Sequence, residues 1–410
     1  MKTKKKSIFT QHINGYKILF IPRSSNTLYV QSVIHSGFIN ETKETSGINH
    51  LLEHVIVDGW KQCKGSCIKY WDNLGKYINA STDMTVMKYY VKGGTENADE
   101  MIEYISTITT NPIFTTSTLM NEKKAIIEEL QSSSNDSTYD LIDKFNKLFF
   151  KEEGLQYSED WKLQIKNLNH LTISNIKKLF HEYFNPQNVL FIVHGDFNTS
   201  KVQSLFSKYL VRHEDQKMTY DCFTNKCEFS FIPYEKDTYS VIIGFPCDKL
   251  MDHKILCEDI LNNLLFNELR TVHKLVYGIK CALNITQCNT YLTIEFDVSL
   301  EKVKHTIQQI IHCLLWYKKH AISPVILSSC KKRILYKYRT DYDMMDYYSD
   351  YIYSNKTPLT LQQLIQHNHK FTENQFKSTL HEIIQFNKAT CVYQGKKDLN
   401  LSWNSFIQKI

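Results

Sequence analysis

Residues 171–197, LTISNIKKLFHEYFNPQNVLFIVHGDF, align without a gap to residues 371–397, FTENQFKSTLHEIIQFNKATCVYQGKK. Thr172 pairs with Thr372, His181 with His381 and Gly195 with Gly395, all at an offset of 200. In each copy a Thr stands before a helical pattern, as an N-cap does, and Thr372 with Gln375 spells a capping box. A run rich in β-branched residues and closed by Gly follows, which predicts a strand. The front ends repeat as well. LFIPRSSNTLYVQSVIHSGF at 19–38 resembles SFIPYEKDTYSVIIGFPCDK at 230–249, with Pro22 and Pro233 offset by 211. Such a chain has to fold twice in the same way. The expected fold is α+β: two homologous domains in tandem, each a mainly antiparallel sheet with helices packed on one side. Hydrophobic periodicity lapses in VRHEDQKMTYDCFTNK, so the expected division is 1–212, a linker at 213–226, and 227–410.

At 410 residues the chain has the length for two such domains. With 42% hydrophobic and 22% charged residues it has material for two full cores. The net charge of +6 is spread out, and the lysines at 2–6 form only a short terminal run, so no nucleic-acid partner is expected. No apolar stretch is long enough to span a bilayer, and SIFTQHINGYKILFIP alternates where a signal peptide would be uniformly apolar. A membrane partner is therefore not expected either. The 11 cysteines follow no disulfide framework, which points to reduced thiols and a cytoplasmic location.

The two copies differ in one place. GINHLLEHVIVDGW at 47–60 is an amphipathic helix pattern that carries His50, Glu53 and His54 on one side. Residues four apart lie about 40° from each other around a helix. The corresponding stretch of the second copy, MDHKILCEDILNNLLFNELR, has no such pair. In a chain with 16 histidines a pair at this spacing arises readily by chance, and packing or surface placement explains most such pairs. Glu53 beside them is what turns the balance toward a metal, because a base next to two imidazoles is what metal-assisted hydrolysis requires.

A catalytic zinc takes three protein ligands and keeps one open position. LMNEKKAIIEEL at 119–130 offers the third. Glu122 and Glu129 point within about 20° of each other around a helix. They fall between Ala125 and Ile126, on what reads as the apolar side, whereas Glu128 swings away to the solvated side. Carboxylates on a buried face need a partner or a cation. The two lie about 10 Å apart along the axis, so one is expected to be a ligand and the other to stand behind it.

These motifs resemble the pitrilysin, insulin-degrading enzyme and mitochondrial processing peptidase family of inverted-motif zinc peptidases, whose signature is H-x-x-E-H. The resemblance covers nearly the whole chain. HSGFINETKETSGINHLLEH is similar to the family's lead into its metal helix, including Gly37, Glu41 and Gly47. LGKYINASTDMTVMKYYV at 74–91 is similar to its G-x-x-NA-x-T…T-x-Y strand region, and YFNPQNVLFIVHGDF to the strand that closes each repeat. In the second half, ELRTVHKLVYGIKCALN resembles the family's LRE…GLAYGV, with Arg270 and Tyr277 seven apart. One departure stands out: ILNNLLFNELR occupies the place of a glycine-rich stretch in relatives.

The resemblance implies a zinc-dependent endopeptidase acting on unstructured peptides or propeptides. One Zn²⁺ per chain would sit on His50, His54 and Glu129, with Glu53 as the base and Glu122 behind the site. Tyr277 would donate to the developing oxyanion, assisted by Arg270. The strand holding Asn79, Ala80, Ser81 and Thr82 would offer its edge to an extended substrate. Relatives enclose a chamber with four such domains. A two-domain chain implies a dimer, in which each protomer's Arg270 and Tyr277 complete the other's site. A homodimer suffices, although a related partner chain is compatible. Two other readings compete. One is a non-catalytic scaffold or partner subunit of the same family. The other is a structural zinc held by Cys63 and Cys67 with the histidines.

Overall fold

A computed structural model describes residues 7–63, 65–133, 138–216, 227–247, 253–285, 290–337, 345, 347–349 and 358–407. Residues 217–226 of the expected linker lie outside this set. Two sheets form, both mostly antiparallel. The first contains β1 (Phe9–Ile13), β2 (Tyr16–Pro22), β3 (Thr27–Ile34), β4 (Tyr77–Thr82), β5 (Met87–Gly94) and β6 (Val189–Gly195), in the order β1-β2-β6-β3-β5-β4. The second contains β7 (Phe229–Pro233), β8 (Thr238–Cys247), β9 (Ile279–Ile285), β10 (Thr290–Ser299) and β11 (Thr390–Gly395), in the order β7-β11-β8-β10-β9.

Without β1, the two orders are the same. Each sheet also carries its parallel pair at the same place, β2 with β6 and β7 with β11. The repeated Pro and Gly meet in register: Pro22 faces Gly195 and Pro233 faces Gly395. Gly195 has φ +131°, and a Cβ there would stand 2.2 Å from the Thr27 carbonyl oxygen, so only glycine closes the strand. The helices that precede β6 and β11 repeat too, at Ile173–Tyr183 and Glu373–Ile383. Both begin in a capping box. Thr372 uses Gln375, and Thr172 uses Asn175, an acceptor that the usual Glu/Gln signature does not include.

The first repeat adds α1 (Ile48–Val57), α2 (Cys67–Asn73), α3 (Ala98–Thr110) and α4 (Thr116–Ser133). Buried residues of α1 recur at 48, 51, 52, 55 and 56, the spacing of one helix face. That face joins a core containing Trp60, Trp71 and Tyr104 as well as the inner residues of β2, β3, β5 and β6.

The chain divides into two compact units. The first is 1–135, 161–219 and 341–360, and the second is 136–160, 220–340 and 361–410. The strands of each sheet come from one repeat, but 136–160 is built into the second unit. Its helix α5 (Thr138–Phe149) buries Leu141, Phe145 and Phe149. A Cβ on Gly244 of β8 would strike the rings of Phe145 and Phe149. The next residue, Phe245, faces the other way, onto Phe386 and Trp403. Helix α5 therefore covers the face of the second sheet opposite to those two residues. In the first unit, Ser349 donates to Gln31 of β3, and Tyr348 packs beside His194 of β6.

One expectation about cysteine is corrected. Cys63 and Cys67 form a disulfide. The loop between them turns at Gly65, φ +110°, and brings the two Cα atoms to 4.9 Å. A lone pair four residues apart gives no framework to read. The described free cysteines are 227, 247, 257, 281, 313, 330 and 391. No helix among the described residues is long and apolar enough to cross a membrane.

Candidate metal centre

Helix α1 starts from Gly47, whose φ of +95° places it in the left-handed region and whose missing side chain leaves the helix without a local cap. The cap comes from Glu41. Its Oε2 accepts from Gly47 N at 2.8 Å, and its Oε1 accepts from Asn49 N at 2.8 Å and Asn49 Nδ2 at 3.0 Å. Ser36 Oγ donates to Asn49 Oδ1 at 2.9 Å. Burial pushes the Glu41 carboxyl up to about 7, although its amide donors pull the other way.

One turn into α1 the two imidazoles meet, with ring centroids 4.8 Å apart at 80°. Glu129 of α4 faces them both: its Oε2 is 3.8 Å from His50 Nε2 and 3.8 Å from His54 Nε2. Ligand atoms of the three residues lie within 4.8 Å of one another, the only such trio of His, Cys, Asp and Glu among the described residues. Tetrahedral donors about 2.0–2.1 Å from a zinc stand roughly 3.3 Å apart, so the three groups would have to draw together to hold the ion. Glu122, two turns before Glu129, takes the other side of His54. Its Oε2 is 3.0 Å from His54 Nδ1. A carboxylate accepts there, so Nδ1 carries the proton and Nε2 keeps its lone pair for a metal.

The titrating groups are tuned differently. His50 is pushed down to about 4 by burial and then by its neighbour His54, and it stays neutral. For His54 burial also pulls down, but the bond to Glu122 and the charges of Glu53, Glu122 and Glu129 outweigh it, and its pKa is raised. Glu53 is only 8% exposed, and burial raises its pKa against the opposing bond from Thr82. That bond is short: Thr82 Oγ1 donates to Glu53 Oε2 at 2.5 Å. Glu129 departs from the expected buried face, since its side chain is 55% exposed. The buried side of α4 holds Lys123 instead, whose ammonium reaches the Leu171 carbonyl. Glu129 looks out into an open site and not into the core. Its helical angle locates it beside Glu122, but only the packing of α4 on α1 decides which of the two is solvated.

A cavity of about 560 Å³ opens beside the cluster, lined by Glu53, His54, Glu122, Asp58, Ile68 and Asn79 among others. Strand β4 forms the outer edge of its sheet. Asn79 and Ala80 line the cavity, Ser81 is exposed on the strand, and the Thr82 hydroxyl is taken by Glu53. The sequence assigns Thr82 to substrate, whereas in the structure its hydroxyl donates to Glu53. Cys63 and Cys67 are bonded to each other, so in this state they offer no thiolates to a structural zinc.

Arg270 and Tyr277 belong to the second unit. Arg270 sits in a π-helical turn, Asn267–Val272, at the end of the helix Lys254–Phe266. Its guanidinium carbon lies 4.3 Å from the centroid of the Tyr277 ring and 5.5 Å from that of Phe266. Tyr277 is 84% exposed.

Sequence reasoning names Glu41 only through a resemblance and does not find its work. Capping rules look one to three residues ahead, whereas Glu41 reaches six and eight. The Thr82–Glu53 bond likewise joins a strand to a helix 29 residues away, and no local pattern marks it.

The His-x-x-Glu-His spacing at 50–54 is that of the inverted-motif zinc peptidases. Residues 21–158 match the family model described as insulinase, peptidase family M16, and residues 170–334 match that of the peptidase M16 inactive domain. The chain belongs to peptidase family M16. It is 26% identical over 211 residues to the zinc protease PqqE of Helicobacter pylori, a match taking in 50% of this chain and 47% of that protein. To the uncharacterized zinc protease YmxG of Bacillus subtilis it is 22% identical over 344 residues, 78% of this chain and 81% of the relative. The solved structure of a protease from Helicobacter pylori has the same fold, with a TM-score of 0.81 at 19% identity, covering 95% of this chain and 99% of that one.

Proposed function

We propose that the chain is a zinc-dependent endopeptidase that hydrolyses unstructured peptides or propeptides. The observation that carries this reading is the convergence of His50 Nε2, His54 Nε2 and Glu129 Oε2 beside the buried carboxyl of Glu53. His50, His54 and Glu129 would hold zinc, which would supply Lewis-acid polarisation of the scissile carbonyl and a lowered pKa for the attacking water. Glu53 takes the proton of that water and passes it to the departing amine. Burial raises its pKa, which suits a group that must both accept and release a proton near neutrality. Thr82 holds one oxygen of Glu53, leaving the other for the water. Glu122 fixes the tautomer of His54. An extended peptide adds to the free edge of β4, with Asn79 and Ala80 along its path.

Arg270 holds the exposed Tyr277 ring for donation to the developing oxyanion. Two copies of the chain associate, so that each supplies this pair to the other's zinc and encloses a chamber. A related partner chain in place of the second copy works in the same way. The proposed location remains the cytoplasm.

A second reading, a non-catalytic partner subunit, is favoured by one observation: the family model matching the second repeat is described as inactive. The deciding experiment is cleavage of a mixed peptide pool by the purified, zinc-loaded chain beside Glu53→Gln, read by mass spectrometry. Products from the wild type alone support the enzyme. No products from either, with zinc bound and a dimer confirmed, would favour the partner subunit.

A further inference from the structure

The first turn of α1 carries His50, yet nothing within the helix caps it. Helices fray from uncapped ends, because their first N–H groups lack intrahelical acceptors. Gly47 has no side chain to cap with, and its φ of +95° bars most replacements. A Cβ there would also come within 3.3 Å of Gln164 Cβ. The acceptor is supplied from outside, by Glu41.

Resting on the zinc-site reading above, we propose that Glu41 is a positioning residue, whose carboxylate clamps the first turn of α1 and so sets where His50 stands toward the metal. Three observations converge. Both oxygens of Glu41 are spent on the turn, on Gly47 N, Asn49 N and Asn49 Nδ2. Its residue is 4% exposed, so water is a poor substitute for those bonds. Asn49, the residue before His50, is gripped from the other side by Ser36 Oγ, two residues past the end of β3. The loop from Glu41 to Gly47 is itself pinned, since Asn167 Nδ2 donates to the carbonyls of Lys43 at 2.9 Å and Ser46 at 3.2 Å. A carboxylate at a helix N-terminus also opposes the positive end of the helix dipole. Ser36, Glu41 and Asn49 therefore tie the ligand-bearing turn to the sheet, and His54, a turn further on, inherits its place from His50.

The test is zinc affinity, measured by chelator competition on full-length Glu41→Gln, Asn49→Ala and Thr172→Ala. Glutamine keeps the volume but turns an NH₂ donor toward amide donors. Glu41→Gln is expected to weaken zinc about tenfold to a hundredfold, the usual effect of removing a partner that orients metal ligands. Its kcat should fall while KM stays nearly unchanged, since β4 and the cavity are intact. Asn49→Ala keeps both main-chain bonds and should weaken zinc by about threefold to tenfold. It decides the matter if Glu41→Gln does not fold. Thr172→Ala removes an equivalent cap from a helix without ligands, and should lower Tm with zinc affinity unchanged. The proposal is overturned if Glu41→Gln and Asn49→Ala bind zinc as the wild type does. It is equally overturned if Thr172→Ala weakens zinc as much as they do. Because metal binding is read directly, a wild type that binds zinc as a dimer but cleaves nothing counts against the peptidase reading and still leaves this one decided.

Discussion

Gly244→Ala is the sharpest test of how the second unit is put together. An ideal Cβ at this position lies 2.4 Å from Phe145 Cζ, 2.7 Å from Phe145 Cε2 and 2.9 Å from Phe149 Cε2. Carbon pairs settle at about 3.5–4.0 Å, so helix α5 has to retreat by about 1 Å. It has little room. Phe145 and Phe149 stack on each other with centroids 4.8 Å apart, and Phe149 packs on Tyr291 at 5.5 Å. Overpacking of this kind costs about 1–3 kcal/mol. In a unit of this size that corresponds to a fall in Tm of roughly 2–10 °C. Thermal melts should show the shift, and hydrogen exchange should show faster opening of amides 138–149 than of β5 or β6. Combining it with Phe145→Leu, which removes the struck ring atoms, should cost less than the two single changes added together. Wild-type melting and unchanged exchange in 138–149 for Gly244→Ala would refute the packing of α5 against β8.

Three further outcomes are expected. Glu122→Ala removes the acceptor that holds His54 Nδ1 and should weaken zinc about tenfold to a hundredfold in the same competition assay; unchanged affinity would show that His54 is oriented by something else. Thr82→Val should lower kcat while leaving zinc affinity unchanged, because it frees Glu53 without touching a ligand; steady-state kinetics beside a zinc titration separate the two. Glu41 sets a pH dependence of stability, since its folded pKa is raised by burial from 4.5 to about 7. Between those values the unfolded chain has lost a proton that the folded chain keeps, so stability falls as pH rises through that window, by up to about 3 kcal/mol. Urea melts of metal-free protein should show a smaller fall in Glu41→Gln than in the wild type, because the raised carboxyl of Glu53 contributes in both, and parallel curves would sink the assignment.

Much of the architecture is legible in the chain itself. Thr172 and Thr372, Gly195 and Gly395, Pro22 and Pro233 mark helix starts and strand ends by local chemistry, and local chemistry survives duplication. That is why the second sheet repeats the strand order of the first. Helix α1 is also legible, because its apolar period and its His-x-x-Glu-His spacing are both properties of ten consecutive residues. Glu122 and Glu129 are visible as a pair by the same helical arithmetic.

What periodicity could not supply are contacts between segments with no fixed spacing. Solvation of Glu129 and burial of Lys123 depend on how α4 lies on α1. Helix α5 falls within the 1–212 expected for the first domain, but its apolar face packs over Gly244, and it belongs to the second unit. Thr82 reads as a strand-edge residue until the sheet brings it to Glu53. Cys63 and Cys67 pair because a loop turns on Gly65. Sequence alone determined which elements form and which residue types they carry, since those follow from short-range backbone preferences and the period of burial. Tertiary structure decided which face meets which, because side-chain complementarity between distant segments acts only once the chain has closed on itself.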